Sequence, residues 1–202
     1  MLEVEIKVKI KDPEDLMKKF EERGGKHEIF LVHKDTYFNM PVGLRDFKNT
    51  DEALRLRQSI SYKLPNKYNP EEICNYITYK GKKVDNSTKT REETEIQIED
   101  FEGMKEILLS LGFQEVLTVV KERELYYFDH EGAQVELLID YLPVLKEYFM
   151  EVELRLESSE RLDWARSSLF KFLNQFGIKE EESIRESYLE LILKKIKKDK
   201  KG

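Results

Sequence analysis

The sequence predicts an α+β fold, with one antiparallel sheet of about eight strands and helices packed on its apolar side. Three features carry this expectation. Residues 2–10, LEVEIKVKI, place Glu3, Glu5, Lys7 and Lys9 on one parity and Val4, Ile6, Val8 and Ile10 on the other. Successive strand side chains point to opposite faces, so this segment has one charged face and one apolar face. The same alternation returns segment after segment, without the near-continuous apolar runs of a parallel sheet. The third feature is an internal repeat. At an offset of 88 residues Asp12 falls on Asp100, Glu5 on Glu93, Lys7 on Glu95, Phe20 on Leu108, Gly24 on Gly112, His33 on Lys121 and Asp35 on Arg123. Each copy reads charged strand, helix, glycine stop, second strand. The chain is therefore read as a single domain, 1–202, of two pseudo-duplicated halves, about 1–90 and 91–202.

The elements follow in order. After the first strand, Asp12 is a helix N-cap with Pro13 at the first helical position and Glu14 and Asp15 in the first turn. Leu16, Met17 and Phe20 form the apolar stripe, and Gly24-Gly25 ends the helix. Strands are expected over about 31–39, 53–63 and 73–81, separated by loops at 41–51, 64–72 and 82–89. The second copy repeats the plan, with a strand at about 91–99 and a helix capped by Asp100. Met104, Ile107, Leu108 and Leu111 form its stripe and Gly112 stops it. Strands at about 116–128, 133–141 and 148–157 follow. A third helix is expected over 159–176, with Leu162, Ala165, Leu169, Phe172 and Leu173 inward and Gly177 at its end. A fourth covers about 184–198 with Tyr188, Leu191, Ile192 and Ile196, and 197–202 reads as a flexible tail.

Composition narrows the classes. The chain has 202 residues, 40% hydrophobic and 38% charged, enough apolar material for one substantial core. A net charge of −6 argues against non-specific nucleic-acid binding. The single cysteine, Cys74, excludes an intrachain disulfide framework and fits a reducing cytoplasm. No apolar run approaches the roughly 20 residues of a membrane span, and the first segment reads as a charged strand, not a signal peptide. A cytoplasmic protein is expected, monomeric or homodimeric, without membrane or nucleic-acid partners. His27, His33 and His130 lack metal-ligand spacing and read as surface or structural residues.

The polar parity carries the functional signal. Arg55 and Arg57 share a face; so do Thr78 and Lys80; so do Arg91, Glu93, Glu95 and Gln97. Lys121 and Arg123 are in phase, Glu136 and Asp140 oppose Val135, Leu137 and Ile139, and Glu151, Glu153 and Arg155 oppose Val152, Leu154 and Leu156. A sheet of this kind either exposes its charged side or curls it around a charged ligand. If it curls, the charges must be paired or ligated, because burying them alone is very costly. Converging Arg and Lys side chains suit a polyphosphate. Carboxylates beside them suit divalent cations bridging protein and phosphate oxygens, and hard oxygen donors favour Mg²⁺ or Mn²⁺.

Glu3-x-Glu5-x-Lys7 resembles the ExExK signature of the CYTH superfamily, the triphosphate tunnel metalloenzymes. The resemblance continues through Lys34-Asp35-Thr36-Tyr37-Phe38, Leu54-Arg55-Leu56-Arg57, Thr78-Tyr79-Lys80-Gly81, Arg91-Glu92-Glu93, Lys121-Glu122-Arg123, Asp140, Glu151-Val152-Glu153 and Ser187-Tyr188-Leu189-Glu190-Leu191. Order and spacing are most similar to the class IV adenylyl cyclase branch. The resemblance implies a closed eight-stranded antiparallel β-barrel, a tunnel with a charged interior and helices packed outside. It implies metal at Glu3, Glu5, Asp140, Glu151 and Glu153, with Glu93 as a further acid. Phosphates would be gripped by Lys7, Arg55, Arg57, Lys80, Arg91, Lys121 and Arg123. Glu3, Glu5, Lys7, Lys121 and Arg123 are the expected catalytic set. Two departures stand out: the turn at 142–148 has no glycine, and the His-Phe element that bacterial cyclases carry upstream of ExExK is not present.

Three functions are consistent with these residues. A cyclase would convert ATP to cyclic AMP and pyrophosphate. A triphosphatase would hydrolyse inorganic tripolyphosphate, thiamine triphosphate or a nucleotide. A non-catalytic module would bind polyphosphate without needing the metal-bridging acids.

Overall fold

The structure, a computed structural model, describes residues 2–62, 69–83 and 90–200. Parts of two expected loops, 63–68 and 84–89, and the last two residues of the expected tail lie outside the described residues. The strands are β1 (Leu2–Ile10), β2 (Lys26–Asn39), β3 (Ala53–Tyr62), β4 (Pro70–Lys80), β5 (Arg91–Ile98), β6 (Gln114–His130), β7 (Ala133–Leu142) and β8 (Glu147–Leu156). The helices are α1 (Pro13–Glu22), α2 (Phe47–Thr50), α3 (Phe101–Ser110), α4 (Leu162–Asn174) and α5 (Tyr188–Asp199). The strands close into one antiparallel barrel in the order β1-β5-β4-β3-β2-β6-β7-β8. No helix among the described residues is long and apolar enough to cross a membrane.

The local chemistry explains the starts and stops. Asp12 accepts a hydrogen bond from the Asp15 amide at 3.0 Å, and Asp100 does the same for Gly103 at 2.9 Å. Gly24 and Gly112 end the two helices at φ +88° and +87°, where a side chain would be strained. α1 and α3 start at Pro13 and Phe101, the repeat offset seen in the sequence. Exchanging β1 with β5, β2 with β6, β3 with β7 and β4 with β8 leaves the cyclic strand order unchanged. The duplication is thus built into the barrel, as a pseudo-two-fold relating antiparallel neighbours.

The core lies outside the barrel wall. Val4, Ile6 and Val8 of β1, with Val135, Leu137 and Ile139 of β7 and Val152 and Leu154 of β8, are buried under Leu16 and Phe20 of α1 and Leu169, Phe172 and Leu173 of α4. α3 places Leu108 over Phe38, Leu54 and Leu56. α5 differs: it sets Tyr188 and Ile192 into one mouth of the barrel, against Val119, Leu142 and Phe149, which share the inward parity of Lys121, Asp140 and Glu151. Helices that claim the apolar parity from outside leave the charged parity facing inward.

Several details differ from the sequence expectation: β2 begins already at Lys26, and β4 at Pro70, inside an expected loop. The region 41–51 holds the short helix α2, capped by Asp46, whose side chain accepts from the Lys48 amide at 3.0 Å. The last helix begins at Tyr188, not 184, because Ser187 and Glu190 form a capping box there and the preceding residues run extended. The same helix continues through Asp199, into the expected tail. At the glycine-free turn between β7 and β8, Lys146 takes the left-handed position at φ +56° that a glycine would otherwise fill.

Phe20 is fully buried, with edge-on ring contacts to Tyr126, Phe128 and Phe176. Phe20→Ala should cost about 3–5 kcal/mol in a urea unfolding titration. A loss under about 1 kcal/mol would show that the α1–α4 layer does not hold the wall closed.

Candidate functional site

Inward-facing side chains from the strands line one cavity of about 870 Å³. Of the residues expected from sequence, Glu3, Glu5, Lys7, Arg55, Arg57, Lys80, Arg91, Glu93, Lys121, Arg123, Glu151 and Glu153 all line it. Strand register brings them together. β1 and β8 pair Glu5 with Glu153 and Lys7 with Glu151, β5 sets Arg91 opposite Glu3, and β4 sets Lys80 opposite Glu93. Asp140 is the exception, since it does not line the cavity and is completely buried behind Arg123.

Burial forces these charges to pair. Arg123 donates to both oxygens of Asp140 at 2.6 Å each and to Glu151 at 2.6 Å. Lys121 donates to Asp140 at 3.2 Å, and Lys7 lies 3.1 Å from Glu151. On the opposite wall Arg57 donates to both oxygens of Asp35 at 2.6 and 2.7 Å. Arg55 reaches Thr78 and Glu95 at 3.1 Å each, and Lys80 donates to Glu93. The forked Arg–carboxylate contacts are the strongest of these geometries. Burial alone would raise Asp35 and Asp140, but the adjacent guanidinium groups hold both carboxyls below their usual range. Burial, reinforced by the Arg123 charge, lowers Lys121 to about 8 against the opposing pull of Asp140 and Glu151. Lys80 is raised: burial acts against it, and Glu3 and Glu93 prevail.

Three carboxylates gather in a cluster of their own. Glu3, Glu5 and Glu153 each offer an oxygen within 4.8 Å of the others. Burial, then the charges of Glu3 and Glu5, push Glu153 well above its ordinary value. Burial also raises Glu3, with Lys80 opposing it. Burial and crowding that make Glu3 and Glu153 resist ionisation are what a divalent cation relieves, and an all-oxygen donor set suits Mg²⁺ or Mn²⁺. Glu93, Asp140 and Glu151 lie outside this group, and each is held by a cation of the protein.

The cavity also holds residues that sequence reasoning did not place there. His33, read as surface or structural, lines it between Arg57, Lys121 and Arg123, and burial with those charges lowers its pKa well below 6.5. A neutral His33 follows. The Nδ1 of His33 and the Nε of Arg55 are buried without a hydrogen-bond partner, which fits a cavity shaped for an additional polar ligand. Asp35 and Tyr37 line it too, as do Glu95, Glu136 and Arg155, which the sequence set on the charged face without a role. The parity of β2 carried the signal for His33 and Asp35, because Leu31, His33, Asp35 and Tyr37 alternate with Val32, Lys34, Thr36 and Phe38.

One end is closed by the C-terminal segment. The Ile184 amide donates to the Lys7 carbonyl at 2.7 Å, and Ser183 bridges to Val8. This strap delivers Tyr188 to the bore, where its ring lies 3.5 Å from Lys7 Nζ and 5.2 Å from Lys121 Nζ. The ring faces attract both ammonium groups. No spacing argument could have found this contact, because it joins the two ends of the chain.

A closed barrel with a mixed-charge bore and a carboxylate cluster defines a class of tunnel proteins, and comparison with known proteins gives the family. The family model for the CYTH domain matches residues 1–188. The chain belongs to the CYTH family. It is 38% identical over 192 residues to a Methanocaldococcus jannaschii protein named "Putative adenylate cyclase", covering 95% of this chain and 98% of that one. The structure is similar to that of PH1819 from Pyrococcus horikoshii, with TM-score 0.79 and 35% identity over 96% of this chain and 99% of that one. It shares its fold with HpAC1 from Hippeastrum, a protein described as having a dominant triphosphatase activity, with TM-score 0.56 and 18% identity over 87% and 88% of the two chains.

Raised carboxyl pKa values bear on stability. A native state that holds a proton more tightly than the unfolded chain loses stability as pH rises through the native pKa. Glu153→Gln should therefore stabilise the metal-free protein at pH 7.5, and the gain should vanish below pH about 4.5, where Glu153 is protonated in both states. Urea unfolding at the two pH values checks this; an equal gain at both would show that Glu153 repels nothing.

Proposed function

We propose that the chain is a divalent-metal-dependent enzyme that binds a triphosphate inside its barrel, with ATP cyclisation to cyclic AMP and pyrophosphate as the leading reaction. The observation that carries this reading is the convergence of Glu3, Glu5 and Glu153 within 4.8 Å beside a bore lined by Arg and Lys. Glu3, Glu5 and Glu153 would hold Mg²⁺ or Mn²⁺, and the bound ion would supply charge neutralisation and orientation of phosphate oxygens. Arg55, Arg57, Lys80, Arg91, Lys121, Arg123 and Lys7 would grip the phosphate chain by exchanging part of their present carboxylate contacts for phosphate oxygens.

The chemistry requires positioning. In cyclisation the ribose 3′-oxygen bonds to the α-phosphorus, the α–β bridging P–O bond breaks and pyrophosphate leaves. Lys121, with its lowered pKa, is suited to exchange a proton near neutral pH at Nζ. Fixed guanidinium groups around the leaving phosphates stabilise the charge that develops there. The 38%-identical relative carries the cyclase name and favours this reaction. Hydrolysis by water at the terminal phosphorus is the second reading, since the same grip serves it and a protein of this fold is described as dominantly a triphosphatase.

Product analysis decides between them. With Mg²⁺ or Mn²⁺ and ATP, tripolyphosphate or thiamine triphosphate in turn, cyclic AMP and pyrophosphate are the expected products from ATP. Orthophosphate release establishes the second reading, and binding without turnover reduces the protein to a polyphosphate-binding module. Glu5→Gln should abolish metal-dependent turnover, a loss of at least about a hundredfold, while circular dichroism stays native. Full activity in that variant would refute the metal role of Glu5.

A further inference from the structure

Of the three histidines, His33 alone lines the cavity, and it is almost fully buried there. A buried histidine kept for structure is normally held by a hydrogen bond. His27 is held in this way: its Nε2 lies 2.7 Å from a Glu124 carboxylate oxygen, and its ring packs edge-on against Tyr126. The Nδ1 of His33, by contrast, is buried without a partner among the described residues. Its neighbours explain why. Ser59 of β3 and Lys121 of β6 lie opposite His33, Arg57 and Arg123 are one inward position away on those strands, and Asp35 follows on β2. Arg and Lys side chains only donate hydrogen bonds. Asp35 is the nearest anion, and Arg57 occupies both of its oxygens. Across the bore, Lys7 of β1 and Glu151 of β8 pair with each other at 3.1 Å, and Glu5 belongs to the carboxylate cluster.

A second N–H on this ring would meet a cationic field whose nearest anion is already bound. Burial, then Arg57, Lys121 and Arg123, hold the His33 pKa well below 6.5, with Asp35 opposing them. The empty bore therefore keeps the ring neutral near neutral pH. A polyphosphate supplies what is missing, because its oxygens are acceptors and its charge offsets all three cations. We propose that His33 is a further phosphate-binding residue whose ring takes up a proton as the polyphosphate chain enters. The inference rests on the triphosphate reading of the bore and adds to its grip a group that is not a standing charge. His33 becomes a cation only with the anion beside it, which spares the empty barrel another buried charge. A proton held more tightly in the complex than in the free protein makes affinity depend on pH. The contribution of His33 is complete below the pKa of the free ring and is lost as pH rises towards that of the bound ring, by up to about tenfold per pH unit.

The test titrates the full chain calorimetrically with the bis-methylene analogue of tripolyphosphate, whose P–C–P bridges resist cleavage. The titration is run in Mg²⁺ at about pH 7, in two buffers of different protonation enthalpy, so that their difference counts protons. Wild type should take up more protons per ligand than His33→Gln, by up to about one. Subtracting the variant cancels protons exchanged by Lys121 and by the ligand itself. If a thermal melt shows that His33→Gln does not fold, the ring nitrogen-15 shifts of wild type carry the test, with His33 assigned through His27→Gln and His130→Gln. The His33 ring should then move from neutral to imidazolium values when the analogue is added. An equal proton count in wild type and variant, or a His33 ring that stays neutral in the complex, overturns the role of His33 and leaves the triphosphate reading standing. An analogue that does not bind wild type overturns both.

Discussion

Taking a charge out of water costs several kcal/mol even after the protein relaxes around it, and this barrel takes in many of both signs. That constraint organises the interior. Asp35 binds Arg57 through both oxygens, and Asp140 binds Arg123 the same way while also accepting from Lys121. Glu151 joins this second group to Lys7. Such networks contribute little net stability compared with an apolar core, so their presence calls for another explanation. They tie the side chains that line the bore to one another across strands. A site that must surround a highly charged ligand needs such order before the ligand arrives.

The same constraint explains why the hydrophobic core lies outside. With the inner face committed to charge, Val4, Ile6 and Val8 must find cover on the other side, and α1 and α4 provide it. The helices add no charged side chain to the middle of the bore. Their caps and glycine stops set where each begins and ends, and the β1–β8 register brings Glu3 near Glu153. α5 enters the functional region through the strap from Ser183 to Tyr188 bound to β1, and α2 adds Phe47 and Lys48 to the cavity lining.

Much of this was legible in the sequence because its signals are local. Strand parity identified which side chains share a face, and the glycines at 24 and 112 marked helix ends. Closure of the barrel was not a matter of parity, since the same alternation also describes an open sheet; the ordered CYTH-like series supplied it. The partners of Asp140 were hidden for a related reason. Parity showed that it shares the charged face, yet only the tertiary structure shows it bound by Arg123 and Lys121 and outside the cavity lining. His33 had the correct parity, but Asp35 is the one charged residue in phase with it on β2. Tyr188 had no local signal beyond its helix, because its partners Lys7 and Lys121 come from strands far away in sequence.

The duplication explains how one repeated unit makes an asymmetric site. The repeat offset relates Glu3 to Arg91, Glu5 to Glu93 and Asp35 to Arg123. Equivalent strand registers then relate Arg57 to Asp140 and Lys80 to Glu153, because Arg57 faces Asp35 as Asp140 faces Arg123, and Lys80 faces Glu93 as Glu153 faces Glu5. Nearly every one of these pairs reverses sign. The forked ion pair survives in both halves with donor and acceptor exchanged. The cluster Glu3, Glu5 and Glu153 has Arg91, Glu93 and Lys80 as its counterpart, so a corner suited to a cation adjoins a corner suited to an anion. Identical halves would have put like charges in both corners and repelled any metal–polyphosphate pair. Sign reversal preserves the backbone symmetry that closes the barrel and removes the electrostatic symmetry that would leave a linear, polar ligand without a preferred direction.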